Sequence, residues 1–194
     1  MGWSLRNDPG SFRVRWSDEV AARYRSAGYW RDTTLVDVAR SAVRAEPERV
    51  LLIECSTRLT RAAAWEQACR LASFLLSRGL GPGDVISFQL PNWVEAAVIA
   101  LASRMTGLVL NPIPPIYRES ELTYILEDCG SKLIFVPQVF RKHDHRAMLE
   151  KIRPQLPGLR DVVFVRGGEA TDLKWADTLG SAPVSEHQLP KVDA

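Results

Sequence analysis

The run GLGPGDVISFQLPNWVEAAVIALASRMTGLVLNP, Gly79 to Pro112, decides the fold because it reads as turn, strand, helix, turn and strand in one span. Gly81-Pro82-Gly83-Asp84 is a turn sequence, and Val85 to Leu90 is mostly apolar, the pattern of a strand covered on both faces. Pro91 stops that strand. Asn92, with Glu95 after it, forms a capping-box signature that starts a helix through Ala96, Val98, Ile99, Leu101 and Ala102. Gly107 closes the helix, and Leu108-Val109-Leu110 is a short buried strand ended by Asn111-Pro112. Two strands joined by a single helix are parallel, with a right-handed crossover.

The same grammar extends in both directions. Upstream, Thr60 caps a helix whose apolar positions Trp65, Cys69, Ala72, Leu75 and Leu76 recur at helical spacing, with Arg78-Gly79 as its end. Downstream, Leu122, Ile125, Leu126 and Cys129 mark a helix, Lys132 to Val136 a strand, Asp144 to Gln155 a further helix and Asp161 to Val165 a further strand. The expected fold class is therefore α/β, a doubly wound, mostly parallel sheet with flanking helices. Residues 1–31 read as an arm with one amphipathic helix around Asp18 to Ser26. A helix from Leu35 to Val43 then leads to the strand Val50 to Glu54, which turns at Cys55-Ser56-Thr57 into a short hairpin. The expected division is an arm at 1–31, an α/β subdomain at 32–165 and a peripheral segment with a linker at 166–194.

These runs, in this order, resemble the first subdomain of the AMP-forming, or adenylate-forming, synthetases and ligases. Arg58-Leu59-Thr60, GLGPGD at Gly79 to Asp84, QLPNWVE at Gln89 to Glu95, the helix ending at Gly107, Asn111-Pro112 and ELTYILEDCGSKLIFV at Glu121 to Val136 carry the likeness. RYRSAGYW at Arg23 to Trp30 is similar to the lead-in of aryl-acid AMP ligases and alicyclic-acid–CoA ligases. PIYRESEL at Pro115 to Leu122 and FRKHDHRAM at Phe140 to Met148 are most similar to acyl-CoA synthetases of the cyclohexanecarboxylate–CoA ligase type. The resemblance implies a reaction in which a carboxylate attacks the α-phosphate of ATP and the acyl-adenylate then passes to a thiol. It also implies ATP, Mg²⁺ and coenzyme A for the full-length enzyme. Such enzymes hold the phosphates with a Ser/Thr/Gly-rich loop ending in Lys and with a distant Lys, and neither is found in this sequence.

The remaining residues with chemical capability read as structural. Gly79 to Gly83 precedes a strand, whereas a phosphate cradle follows one. Arg166-Gly167-Gly168 follows a strand but leads into no convincing helix, so it reads as a surface turn. His143-Asp144-His145 reads as a solvated helix start with Asp144 as cap, because an i, i+2 histidine pair does not close a zinc site. Cys55, Cys69 and Cys129 read as small buried hydrophobes in a reducing compartment. Trp3, Trp16, Trp30, Trp65, Trp93 and Trp175 are scattered, which suits core and interdomain contacts better than a platform for stacking bases. No catalytic, cofactor-binding or metal-ligating residue is assigned.

With 25 basic and 23 acidic residues, the net charge of +2 implies no nucleic-acid partner. The longest apolar run, Ala96 to Ala102, is far short of the ~20 residues that span a bilayer, and the first residues lack an apolar secretory core. The expected location is cytoplasmic. The expected function is that of an N-terminal fragment of an ATP-dependent, AMP-forming carboxylic acid–CoA ligase, inactive alone for want of the phosphate loop and C-terminal lobe. Its expected partners are the remaining C-terminal portion of the ligase and, in the full-length enzyme, a small carboxylic acid. The alternative is a stand-alone, non-catalytic α/β binding or interaction module. A sheet lacking later segments should also expose an apolar face and unpaired edges, so self-association is expected.

Overall fold

The computed structural model describes Arg6–Asn7, Arg13–Val14 and residues 16–191. Residues 1–5, 8–12 and 15 of the N-terminal arm, Trp3 included, lie outside the described residues. Strands β1 (Arg6–Asn7) and β2 (Arg13–Val14) pair antiparallel. Helix α1 (Asp18–Ser26) starts where the Ser17 hydroxyl accepts the Val20 N–H, and α2 (Leu35–Ala45) starts with a capping box between Thr34 and Asp37. Strands β3 (Val50–Glu54) and β4 (Thr57–Thr60) form the expected hairpin, turning at Cys55, whose φ is +51°.

The layer that follows is built from α3 (Arg61–Ser77), β5 (Val85–Phe88), α4 (Val94–Met105), β6 (Val109–Pro112), α5 (Glu119–Asp128) and β7 (Leu133–Val136). A small hairpin, β8 (Val139–Phe140) with β9 (His143–Asp144), leads to α6 (His145–Ile152) and β10 (Asp161–Phe164). Strand β11 (Leu173–Lys174) and α7 (Trp175–Thr178) complete it. The five strands run β11-β10-β7-β5-β6, every pair parallel. Helices α3 and α4 share one core with Ile86, Leu133, Phe135 and Val163, while α5 and α6 share a second with Ile134, Val136 and Phe164. Alternate residues of β7 thus point into opposite cores, which is why its four residues are all buried. Phe135, Leu71, Leu75, Ile86 and Leu122 are fully buried, each worth roughly 1.5–3 kcal/mol relative to exposure.

The order makes β5 and β7 neighbours whose following helices leave to opposite faces. That is the topological switch point of a doubly wound sheet, and ligands of such sheets bind beyond the carboxyl ends of the strands there.

Four readings of the sequence need correction. Helix α4 is not capped by Asn92: it begins one turn position later, after Trp93, with no capping bond from that residue's own side chain. His145 is not solvated but wholly buried, although Asp144 does cap α6 by accepting the Ala147 N–H at 3.0 Å. Cys55 is exposed at the hairpin turn, while Cys69 is buried and Cys129 half-buried. The segment after residue 165, whose periodicity is weak, supplies β11 to the sheet edge. Among the described residues no helix is long and apolar enough to cross a membrane.

Candidate functional site

The end of β3 and the start of α4 meet at Arg166, which follows β10 with φ at +59°. Its Nε and Nη2 donate to the two oxygens of Glu95, each at 2.8 Å. Its Nη1 and Nη2 donate to the two oxygens of Glu54 at 2.6 and 2.8 Å. Two bidentate carboxylates on one planar fork is the geometry arginine is built for. The guanidinium lies over the Trp93 ring, 4.1 Å from its centroid. Trp93 in turn meets Phe140 of β8 edge-on at 5.9 Å. The carboxylates raise the Arg166 pKa, and hydrogen bonding from Arg166 holds Glu54 below its ordinary value of 4.5.

Glu54 also accepts the Val94 N–H at 2.9 Å, so the cap that Asn92 does not supply to α4 comes from the hairpin. Leu52, Ile53, Glu54, Asn92, Trp93, Val94, Ala96 and Ala97 line a cleft of about 250 Å³ between hairpin and helix. Beneath the mouth, the buried Gln89 amide donates to the carbonyls of Pro114 and Tyr117 at 3.1 and 2.9 Å and fixes the Pro114–Tyr117 loop.

The glycine groups fall on opposite ends of the sheet. Gly79 to Gly83 lies at the amino end of β5, where Gly83 N–H is spent on Gly107 and Gly81 N–H on the Asp84 carboxylate. Arg166 to Gly168 lies at the carboxyl end, but Gly168 N–H is donated to the Gln138 side chain at 2.7 Å. A Cβ on Gly167 would stand 2.7 Å from Gln138 Cβ, so this turn is tight. With these amides engaged and the arginine committed to two carboxylates, the described residues do not fit a triphosphate with Mg²⁺. Both ring nitrogens of His145 lack hydrogen-bond partners, and burial lowers its pKa to about 4. His143 packs against it, 4.7 Å between ring centroids. Among the described residues no three His, Cys, Asp or Glu side chains group as metal ligands.

Sequence reading missed the Arg166–Glu54–Glu95–Trp93 assembly. Each member sits at the end of a predicted strand or the start of a predicted helix, which is a weak signal. Only the tertiary fold brings them together.

A family model described as AMP-binding enzyme matches residues 39–193. The chain belongs to the AMP-binding enzyme family. Among its relatives in that family is a medium-chain fatty-acid–CoA ligase of Escherichia coli, 34% identical over 78% of this chain and 27% of that protein. A salicylyl-CoA synthase/salicylate adenylyltransferase of a Streptomyces species is 33% identical over 83% of this chain and 30% of its own length. The apo structure of MbtA from Mycobacterium smegmatis superposes with a TM-score of 0.76 at 32% identity, over 91% of this chain and 32% of that one. The chain therefore corresponds to the N-terminal portion of an adenylate-forming fold and spans less than a third of the length of these relatives.

Proposed function

We propose that this chain is the opening part of an ATP-dependent, AMP-forming carboxylic acid–CoA ligase. The observation that carries the reading is the family match over residues 39–193, joined to relatives whose names specify fatty-acid–CoA and aryl-acid ligation or adenylation. In the whole ligase, ATP and Mg²⁺ would activate a carboxylic acid as its adenylate, and coenzyme A would accept the acyl group. The preferred acid is medium-chain or alicyclic, and the location is cytoplasmic.

Within that enzyme the described residues serve as scaffold. Helix α4 and the end of β6 at Asn111-Pro112 pack against the next part of the ligase and help to form a groove in which adenylate and thiol meet. The chain alone has no ligase activity, because it holds no Ser/Thr/Gly-rich loop ending in Lys to take the phosphates.

ATP–pyrophosphate exchange on the purified 194-residue chain, with octanoate, cyclohexanecarboxylate and salicylate offered in turn, tests this. No exchange by the chain, and exchange when the matching remainder of the ligase is joined to it, is the expected result. Exchange by the chain alone overturns the scaffold role. An inactive joined protein overturns the ligase reading and leaves a binding module.

A further inference from the structure

Among the described residues His145 is wholly buried with neither ring nitrogen hydrogen-bonded. A buried polar group left without partners is costly, and native folds rarely keep one unless something else satisfies it. Two further donors stand beside it. The β8–β9 ladder pairs His143 with Phe140, and the His143 ring lies 4.7 Å from that of His145, centroid to centroid. Met148 follows His145 by three residues, which places both on one face of α6, and its Sδ is 3.3 Å from His143 Nε2. The backbone beneath these side chains is held: Asp144 accepts the Ala147 N–H, and the His145 N–H is donated to the Gln138 carbonyl at 2.9 Å. Met148 is 2% exposed and His143 half-buried, so the cluster reaches solvent on the His143 side.

Two imidazoles and a thioether are uncharged donors without an oxygen among them. Calcium and magnesium take oxygen ligands, and structural zinc takes four nitrogen or sulfur ligands, often thiolates. A thioether selects Cu(I), and imidazole suits copper as well. With metal bonds of about 2 Å to nitrogen and 2.3 Å to sulfur, one ion can touch His143 Nε2 and Met148 Sδ together at their separation of 3.3 Å. Burial, His143 and Arg118 all disfavour positive charge at His145, so a singly charged ion costs less there than a doubly charged one. We propose that His143, His145 and Met148 form a site for monovalent copper, with the methionine sulfur as the third donor that a histidine pair lacks. The ion ties the β8–β9 hairpin, whose Phe140 meets Trp93, to the first turn of α6. The site stands independently of the ligase reading.

Competition for Cu(I) between the 194-residue chain and a chromogenic cuprous chelator, under argon with a reductant, tests this. Thiols also bind Cu(I), so the chain carries Cys55→Ser, which removes the exposed one, and affinities are read as differences between variants of that protein. His143→Gln should weaken one equivalent of Cu(I) at least about a hundredfold, and Met148→Leu, which nearly conserves volume, at least about tenfold. Zn²⁺ should bind the same protein at least about tenfold more weakly than Cu(I). Unchanged Cu(I) affinity in either variant overturns the site and leaves the metal on the remaining thiols. Zn²⁺ held as tightly as Cu(I) overturns the choice of ion.

X-ray absorption at the copper edge decides the matter with the trio intact, whether or not a variant folds. Outer-shell scattering from two imidazoles with one sulfur neighbour is the expected spectrum, and a shell of sulfur alone overturns the proposal.

Discussion

The Glu54 carboxylate accepts the backbone N–H of Val94 at 2.9 Å across forty positions of sequence, so a strand of the N-terminal hairpin caps a helix of the parallel layer. The same carboxylate is hydrogen-bonded by Arg166, which holds its pKa below 4.5 in the fold. A carboxyl depressed on folding contributes stability that is present above its unfolded pKa and is lost as pH falls through the folded value. Stability should therefore decline as pH drops below about 4.5. Glu54→Gln should lower stability at neutral pH and flatten that acid limb, as followed by urea unfolding at a series of pH values. An acid limb as steep as that of the wild type would contradict the assignment.

His145 predicts the opposite end of the mildly acidic range. Buried without partners, it stays neutral down to about pH 4, whereas the unfolded chain binds a proton near 6.5. The unfolded state holds more protons between these values, so stability falls as pH is lowered from 6.5 towards 4 and then levels off for this group. A separation of that size corresponds to roughly 3 kcal/mol. His145→Leu should remove this slope, visible as a Tm that no longer drops between pH 6.5 and about 4.5 beyond what the carboxylates account for.

Gly107 ends α4 with φ at +69°, and a Cβ there would meet the Pro82 side chain at 3.2 Å. Both the conformation and the contact oppose any larger residue. Gly107→Val should cost about 2–4 kcal/mol in denaturant unfolding, with the loss in stability rather than in any binding property. A neutral result would mean that the turn at Pro82 yields freely.

The three thiols should separate by rate. Cys55 is exposed at the hairpin turn, Cys69 is buried in α3, and burial raises the pKa of half-buried Cys129. An aromatic disulfide reagent at pH 8 should modify one thiol promptly and the other two at least about tenfold more slowly, reaching three on unfolding. Cys55→Ser should abolish the fast phase alone.

Leu35, Val38, Leu51 and Ile53 leave apolar area exposed on α2 and the outer side of β3. Such a surface beside a strand edge favours association. Light scattering of the isolated chain should show a mass that rises with concentration, and Leu51→Lys with Ile53→Lys should shift it towards 21.7 kDa. A wild-type monomer with a radius of gyration near ~16 Å would count against this.

The parallel layer was legible in the sequence because its signals are local. Apolar spacing from Trp65 to Leu76, the breakers at Pro91 and Gly107, and the runs Val85 to Phe88 and Leu133 to Val136 fix each element from within a few residues. The cap of α4 was misread for the same reason: Asn92 is the nearest candidate in sequence, but Glu54 is the partner in space. The burial of His145 was hidden because its neighbours Asp144 and Arg146 are polar.

By itself the sequence determined that this chain forms alternating strands and helices of a parallel, doubly wound sheet, and it carried the family likeness in the order of those runs. Only the tertiary structure decided the strand order β11-β10-β7-β5-β6, and with it the place of Arg166 between Glu54, Glu95 and Trp93. The physical reason is one of range. Backbone periodicity and turn chemistry act over a few residues, whereas an arginine finds its carboxylates only after folding has brought the end of β3, the start of α4 and the turn after β10 together.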